Sequence, residues 1–232
     1  MSALIKILKE WHEPWREYAI EFVGTFVFVT IATLTAYTSV FYSEISILEK
    51  SLIISFSYAA LLWSTVNFSG GFLNPAITLA LWLCQKVSGV KAVFFVLAQI
   101  VAALVSYYLV YILFSGVSPV EIFELGLGVD TGSAFVIEAV LSAFLIFVVF
   151  ATMIDRRGPA GFGPLIVGLF LLSITLVAYP VTGAVFNPIA VIGNFIFSRE
   201  YGNFLPQILG PLVGSIAGLV YTVVFIKPAK KK

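Results

Sequence analysis

Two Asn-Pro steps, Asn74-Pro75-Ala76 and Asn187-Pro188-Ile189, are the residues of this chain best placed to do chemistry. Asn is a favoured N-cap. Pro is favoured at the first helical position because the N–H it lacks would be unpaired there anyway. Each step is therefore expected to start a helix. Ser69-Gly70-Gly71 precedes the first and Thr182-Gly183 the second. A single Asn-Pro often marks an ordinary turn. Two of them, each behind Ser/Thr-Gly and each opening a short apolar stretch, are a pattern that coincidence does not account for. The other polar groups set in apolar sequence are the carboxylates Glu21 and Glu138. No nucleophile, base and orienting group converge, and His12 is the only histidine. Neither an enzyme, a metal site nor a cofactor is expected. The single Cys84 excludes an internal disulfide and reads as inert.

The elements that carry these residues are membrane helices. Of 232 residues, 60% are hydrophobic and 11% charged, against about 25% charged in soluble domains. Most of the surface must face something apolar, and one domain, residues 1–232, suits the length. The apolar stretch after the mixed-charge N-terminus runs from Tyr18 to Tyr42. It exceeds a signal-peptide core of about 7–15 residues and reads as a retained first span. A span needs roughly 20 apolar residues. Six stretches meet or approach that: 18–41, 51–67, 92–114, 133–153, 163–181 and 204–226. Two more, 74–84 and 187–197, are too short. A helix of about 10 residues is about 15 Å long, half of a roughly 30 Å hydrocarbon core. These pieces, the ones Asn74 and Asn187 begin, can only be re-entrant or buried.

Lys and Arg set the orientation. With a cytoplasmic N-terminus and six alternating spans, the cytoplasmic side holds Lys6, Lys9, Arg16, Lys86, Lys91, Arg156, Arg157, Lys227, Lys230, Lys231 and Lys232. The outer side holds Lys50 and Arg199, while Glu44, Glu49, Glu121, Glu124, Asp130 and Glu200 collect there. Both termini are expected to be cytoplasmic, in the cell membrane. Trp11 and Trp15 fit an interfacial aromatic belt, and the Lys230–Lys232 tail fits a positive-inside anchor.

The chain nearly repeats itself. Glu21 and Ser69 to Ala76 in the first half correspond to Glu138 and Thr182 to Ile189 in the second. Each half, about 18–114 and 133–226, holds three spans with a short piece between its second and third. Three is odd, so the second half is inverted relative to the first, and a shared site falls near the midplane. Half-helices entering from opposite faces meet N-terminus to N-terminus. Each N-terminus carries roughly +0.5 charge, so about +1 sits at the centre of a low-dielectric slab. A cation or relayed proton meets a barrier there, while a neutral polar molecule can be hydrogen-bonded. The pattern reads as a passive pore for neutral solutes.

At this point the residues resemble the aquaporin, or major intrinsic protein, family over essentially the whole chain. Ser69 to Thr78 resembles Ser-Gly-Gly-His-x-Asn-Pro-Ala-Val-Thr, with Phe72 for His and Ile77 for Val. Thr182 to Ala190 resembles Thr-Gly-Ala-x-x-Asn-Pro-Ala-Arg. Glu-Phe-x-Gly-Thr at Glu21, Ala98-Gln99, Gly210-Pro211, Gly214 and Tyr221 also match. The resemblance implies an all-α membrane fold of six transmembrane helices and two re-entrant half-helices, a water channel in every subunit, and a homotetramer. It further implies that Glu21 and Glu138 accept hydrogen bonds from the re-entrant loops. By spacing it carries an outer constriction over to Ile54, Thr175, Ala184 and Ala190.

The chain departs from the family where selectivity is set. Ala190 stands where the family has Arg, Ile189 replaces the motif's Ala, and Val191 replaces the Asp of glycerol-type members. The constriction is expected to be uncharged and wider, admitting water and solutes of the glycerol and urea class. Two other functions fit parts of the pattern. A secondary transporter would need the Glu pair for coupling, and a structural membrane protein would have a closed pore. Expected partners are water, small neutral solutes and lipid, with no nucleic acid. Gly24, Gly210 and Gly214 read as helix-packing sites. The Thr175 hydroxyl either faces the pore or bonds back to its own helix.

Overall fold

The computed structural model describes residues 14–41, 45–114, 124–198 and 201–226. Of the residues assigned above, Lys6, Lys9, Trp11, His12, Glu44, Glu121, Arg199, Glu200, Lys227 and Lys230–Lys232 lie outside these. The described residues are helical and contain no strand. Helices α1 (Trp15–Phe41), α2 (Ile47–Thr65), α4 (Gly89–Leu113), α5 (Thr131–Val149) and α6 (Gly163–Thr182) alternate with two short ones, α3 (Pro75–Leu83) and α7 (Ile189–Ser198). The last helices among the described residues are α8 (Gly210–Gly214) and α9 (Ile216–Phe225). A π turn over Phe150–Ile154 extends α5, and another over Leu205–Leu209 leads into α8. Six helical segments are long and apolar enough to cross a membrane, including Thr131–Ile154 and Leu205–Phe225. The short α3 and α7 fall where the half-length stretches were expected.

Local capping moves some boundaries. The second span begins at Ile47, four residues before its apolar run, because Ser46 and Glu49 form a capping box. The Glu49 N–H donates to Ser46 Oγ at 3.2 Å and the Ser46 N–H to Glu49 Oε2 at 2.8 Å. The fourth begins at Thr131 because Asp130 Oδ1 accepts from Gly132 N at 2.9 Å and Ser133 N at 3.0 Å. Polar residues therefore extend both spans beyond the stretch that hydropathy marks.

Lipid tails are as apolar as leucine, so helices in a bilayer associate through close packing and small residues. Within the first half α1 packs on α4, within the second α5 packs on α8, and α2 packs on α6 between the halves. A Cβ on Gly214 would lie 2.8 Å from the Ala139 carbonyl oxygen, one on Gly210 2.8 Å from Glu138 Cβ, and one on Gly168 2.4 Å from Ala59 Cβ. Gly24 lies against Leu73 of the loop that enters α3. The expected packing role of Gly24, Gly210 and Gly214 is thus met by space that admits no side chain.

One ion pair ties the ends of two spans together. Arg157 donates from Nε to Asp155 Oδ1 at 3.0 Å and from Nη2 to Asp155 Oδ2 at 2.5 Å. Its Nη2 also reaches the Phe225 carbonyl at 2.8 Å, and the Tyr221 hydroxyl donates to Asp155 Oδ2 at 3.0 Å. The Arg157 side-chain bonds hold the Asp155 carboxyl well below the usual carboxylate range. A depressed carboxylate contributes stability above its ordinary pKa and loses it as pH falls through the lowered one. Asp155→Asn is expected to lower the melting temperature in detergent by the same amount from pH 8 to pH 5. That difference should shrink as the buffer falls below about pH 4, a course that thermal melts of both proteins over the pH series would follow.

Candidate functional site

The loops entering α3 and α7 share one backbone design. Gly70 and Gly71 have φ of 102° and 66°, and Leu73 has 48°. At the matching places Gly183 and Ala184 have φ of 81° and 54°, and Phe186 has 39°. The chain is left-handed four, three and one residue before each Asn. Glycine tolerates that region, whereas Ala184, Leu73 and Phe186 are strained in it and need outside support.

The two buried glutamates supply the support. Glu21 Oε1 accepts from Ser69 Oγ at 2.5 Å and Phe72 N at 3.0 Å, and Oε2 from Leu73 N at 2.8 Å and Gln99 Nε2 at 2.8 Å. Glu138 Oε1 accepts from Thr182 Oγ1 at 2.5 Å and Val185 N at 3.0 Å, and Oε2 from Phe186 N at 3.0 Å. Backbone N–H groups at membrane depth have no water to bond, and here a carboxylate takes each pair. Glu21 and Glu138 thus accept matching pairs of loop N–H groups in the two halves. Ser69 and Thr182 are the side-chain partners that motif matching did not assign. Gln99, noted above only as part of a matching pair, also donates to Thr78 Oγ1 at 3.3 Å.

The asparagines face one another's loops. Asn74 Nδ2 donates to the Phe186 carbonyl at 3.1 Å, and Asn187 Nδ2 donates to the Leu73 carbonyl at 2.9 Å. Both are buried, at 1% and 5% exposure. Each amide nitrogen carries two hydrogens, and each spends one on the other half. The sequence repeat thus brings Asn74 and Asn187 to one another's loops, with the Asn187 to Leu73 bond spanning 114 residues of sequence.

The two helix starts differ in one respect from the expectation that each Asn caps its helix directly. Asn74 is a regular N-cap: its Oδ1 accepts from Ala76 N at 2.8 Å, its carbonyl from Thr78 N at 3.0 Å, and Pro75 opens α3. In the second half the helix begins at Ile189, after Pro188. Asn187 Oδ1 accepts from Ile189 N at a longer 3.3 Å, and the first turn is tight, with Ala190 N on the Asn187 carbonyl and Val191 N on the Pro188 carbonyl. The β-branched Ile189 stands where α3 has Ala76. Val191 replaces Thr78, whose hydroxyl bonds back to Asn74 at 3.1 Å. The second change leaves that turn without the hydroxyl bond that Thr78 makes in the first.

Of the four residues carried over as an outer constriction, Thr175, Ala184 and Ala190 are 3%, 9% and 5% exposed. Ala184 and Ala190 belong to one buried apolar cluster, and half-buried Ile54 packs against it. Thr175 Oγ1 is buried without a hydrogen-bond partner among the described residues. It does not bond back to its helix, unlike Ser173, which reaches the Leu169 carbonyl at 3.1 Å. One further polar residue, absent from the sequence reading, joins this region. Tyr58 is 2% exposed and its hydroxyl donates to the Phe72 carbonyl at 3.0 Å. Its signal was its spacing, since Tyr58 lies one helical turn from Ile54 and shares its face.

Known proteins match this arrangement over nearly its whole length. The chain is 32% identical over 215 residues to a probable aquaporin TIP-type of Medicago truncatula, covering 89% of this chain and 85% of that protein. It is 29% identical over 221 residues to Aquaporin Z of Photorhabdus laumondii, covering 88% and 94% respectively. The crystal structure of the aquaglyceroporin from Plasmodium falciparum superposes with a TM-score of 0.78 at 22% identity, covering 92% of this chain and 97% of that one, and so shares the fold. The sequence model of the major intrinsic protein family matches residues 8–221. With the reciprocal asparagines, the anchoring glutamates and six spans, this places the chain in the major intrinsic protein family, as a transmembrane channel for water or small solutes and not an enzyme.

Proposed function

We propose that each subunit passes water and small neutral solutes of the glycerol and urea class through a lumen between α3 and α7, and opposes cations there. The observation that carries this reading is the crossed pair of hydrogen bonds from Asn74 Nδ2 to the Phe186 carbonyl and from Asn187 Nδ2 to the Leu73 carbonyl. Each amide keeps a second hydrogen for a passing oxygen atom. Pro75, Ala76, Pro188 and Ile189 set the helix starts beside them, whose combined charge of about +1 disfavours a cation. Outside this centre Ile54, Thr175, Ala184 and Ala190 form an uncharged opening, with the Thr175 hydroxyl as its polar group.

Residues 1–232 act as one channel domain of two inverted repeats, about 18–114 and 133–226, in a homotetramer. The strong Lys and Arg bias supports cytoplasmic termini in the cell membrane. Glu21 and Glu138 serve as loop anchors. Their oxygens already accept loop donors, which leaves the transporter alternative without a coupling group.

Stopped-flow light scattering on proteoliposomes tests the reading. Purified protein is expected to speed osmotic shrinkage well above lipid background, with a low activation energy, and to admit glycerol and urea without accumulating them. Accumulation against a gradient would assign a transporter. Water flux at lipid background would assign a closed pore.

A further inference from the structure

We propose that Tyr58 is the residue that sets solute size and hydrogen bonding at the centre of the lumen, an inference that rests on the channel reading above. Its phenol donates to the Phe72 carbonyl at 3.0 Å from the neighbouring span, in a buried contact. The Asn74 side chain and the Glu21 carboxylate are further polar neighbours. In a lumen bounded by re-entrant loops, the carbonyls before each Asn are the acceptors on which a passing molecule leans. The Leu73 and Phe186 carbonyls each accept from the opposite asparagine. Tyr58 occupies the next one. A solute at Asn74 therefore meets a phenol oxygen in place of a backbone carbonyl.

The repeat shows what the second half lacks. Tyr58 stands 16 residues before Asn74, and the residue 16 before Asn187 is Leu171. Phe28 stands seven residues after Glu21, and the residue seven after Glu138 is Leu145. Phe28 and Tyr58 pack ring against ring with centroids 5.1 Å apart. All four side chains are buried in one cluster with Leu73 and Phe186. The first half thus presents two aromatic rings at the level where the second presents two leucines. With alanines at 184 and 190 in the outer opening, this aromatic pair is the bulkier barrier, and pore diameter with lining hydrogen-bond groups decides selectivity.

Two variants separate ring from hydroxyl. Tyr58→Phe keeps the ring and releases the Phe72 carbonyl. Water flux is expected to rise roughly fivefold, the rate equivalent of one net hydrogen bond, with the glycerol-to-water flux ratio unchanged. Tyr58→Leu copies the second half, and that ratio is expected to rise about tenfold as the lumen widens. Both are compared with wild type in proteoliposomes at matched protein density, using particles that elute as one peak. If wild type conducts and Tyr58→Leu leaves the ratio unchanged, the assignment of Tyr58 is overturned while the channel reading stands. Wild type at lipid background with a conducting Tyr58→Leu supports Tyr58 as the barrier and overturns the open-pore reading. Both proteins at background would overturn the two together.

Discussion

Replacing Ala190 with Arg is expected to cut glycerol and urea flux at least about tenfold, leave water flux within a few-fold, and lower any proton or cation leak by about two orders of magnitude. The size of the last effect follows from Coulomb's law. A fixed charge about 5 Å from a permeating cation, at an effective dielectric near 20, adds about 3 kcal/mol to the barrier, or about 100-fold in rate. Ala190 is the second residue of α7 and is 5% exposed, and in the proposed pore a long side chain there enters the outer opening with Ile54, Thr175 and Ala184. Arginine carries five donors and no acceptor. The Thr175 hydroxyl, which is unpaired among the described residues, gives it one acceptor. A cation near a helix N-terminus costs about 0.3–1 kcal/mol, an expense the fold tolerates. Ala190→Met supplies similar bulk without charge. It should reduce glycerol and urea flux while leaving the proton leak unchanged. Stopped-flow assays with each solute, and a pH-sensitive dye inside the vesicles, read all of these. Unchanged glycerol and urea flux in Ala190→Arg would remove residue 190 from the constriction.

The sequence made the scaffold legible because membrane physics leaves few choices. Six long apolar stretches and two of half length admit little besides six spans and two short helices, and helix starts in the structure differ where Ser46, Ser88 and Asp130 cap a helix in polar sequence. The Asn-Pro repeat made the pairing of Asn74 with Asn187 legible, since two inverted halves place their matching points together. The unequal helix starts were less accessible. Both motifs read Asn-Pro, and the longer cap bond and tighter first turn of the second, where Ile189 and Val191 stand in place of Ala76 and Thr78, appear only in the distances. Tyr58 was hidden for another reason. In a chain with 10 tyrosines and 22 phenylalanines, an aromatic residue in a span carries little information until its hydroxyl is seen on a loop carbonyl. Gln99 was visible as a match, but its link to Glu21 and Thr78 joins three elements that no local pattern connects.

Removing the first loop anchor is expected to abolish the folded channel. In Glu21→Ala four donors lose their acceptor: the Ser69 hydroxyl, the Phe72 and Leu73 N–H groups and the Gln99 amide. An orphaned buried donor costs about 1–3 kcal/mol, so the sum is comparable with a whole protein's stability of about 5–15 kcal/mol. The strained φ of Leu73 also loses the contact that holds it. Glu21→Gln is informative because it keeps the shape, removes the charge and turns one acceptor oxygen into an NH2 donor. Both carboxylate oxygens face donors, so whichever side receives the new NH2 sets donor against donor. Placed at Oε2 it meets Leu73 N and Gln99 Nε2. Gln99 can turn its unpaired oxygen toward it, at the loss of its bond to Thr78, but the backbone N–H of Leu73 cannot turn. Placed at Oε1 it meets the Ser69 hydroxyl, which can rotate to accept, and only Phe72 N stays opposed; the second half offers the same arrangement. Glu138→Gln can direct its NH2 at Thr182, whose hydroxyl rotates to accept, and only Val185 N then stays opposed. Fluorescence-detected gel filtration after heating should therefore rank wild type above Glu138→Gln and Glu21→Gln, which fall together, and Glu21→Ala last, without a monodisperse peak. In proton-coupled transport the outcome would differ: Glu21→Gln would keep wild-type stability and lose flux. A loss of stability that tracks the number of orphaned donors marks the glutamates as anchors of the two loops, which hold the asparagines where a solute meets them.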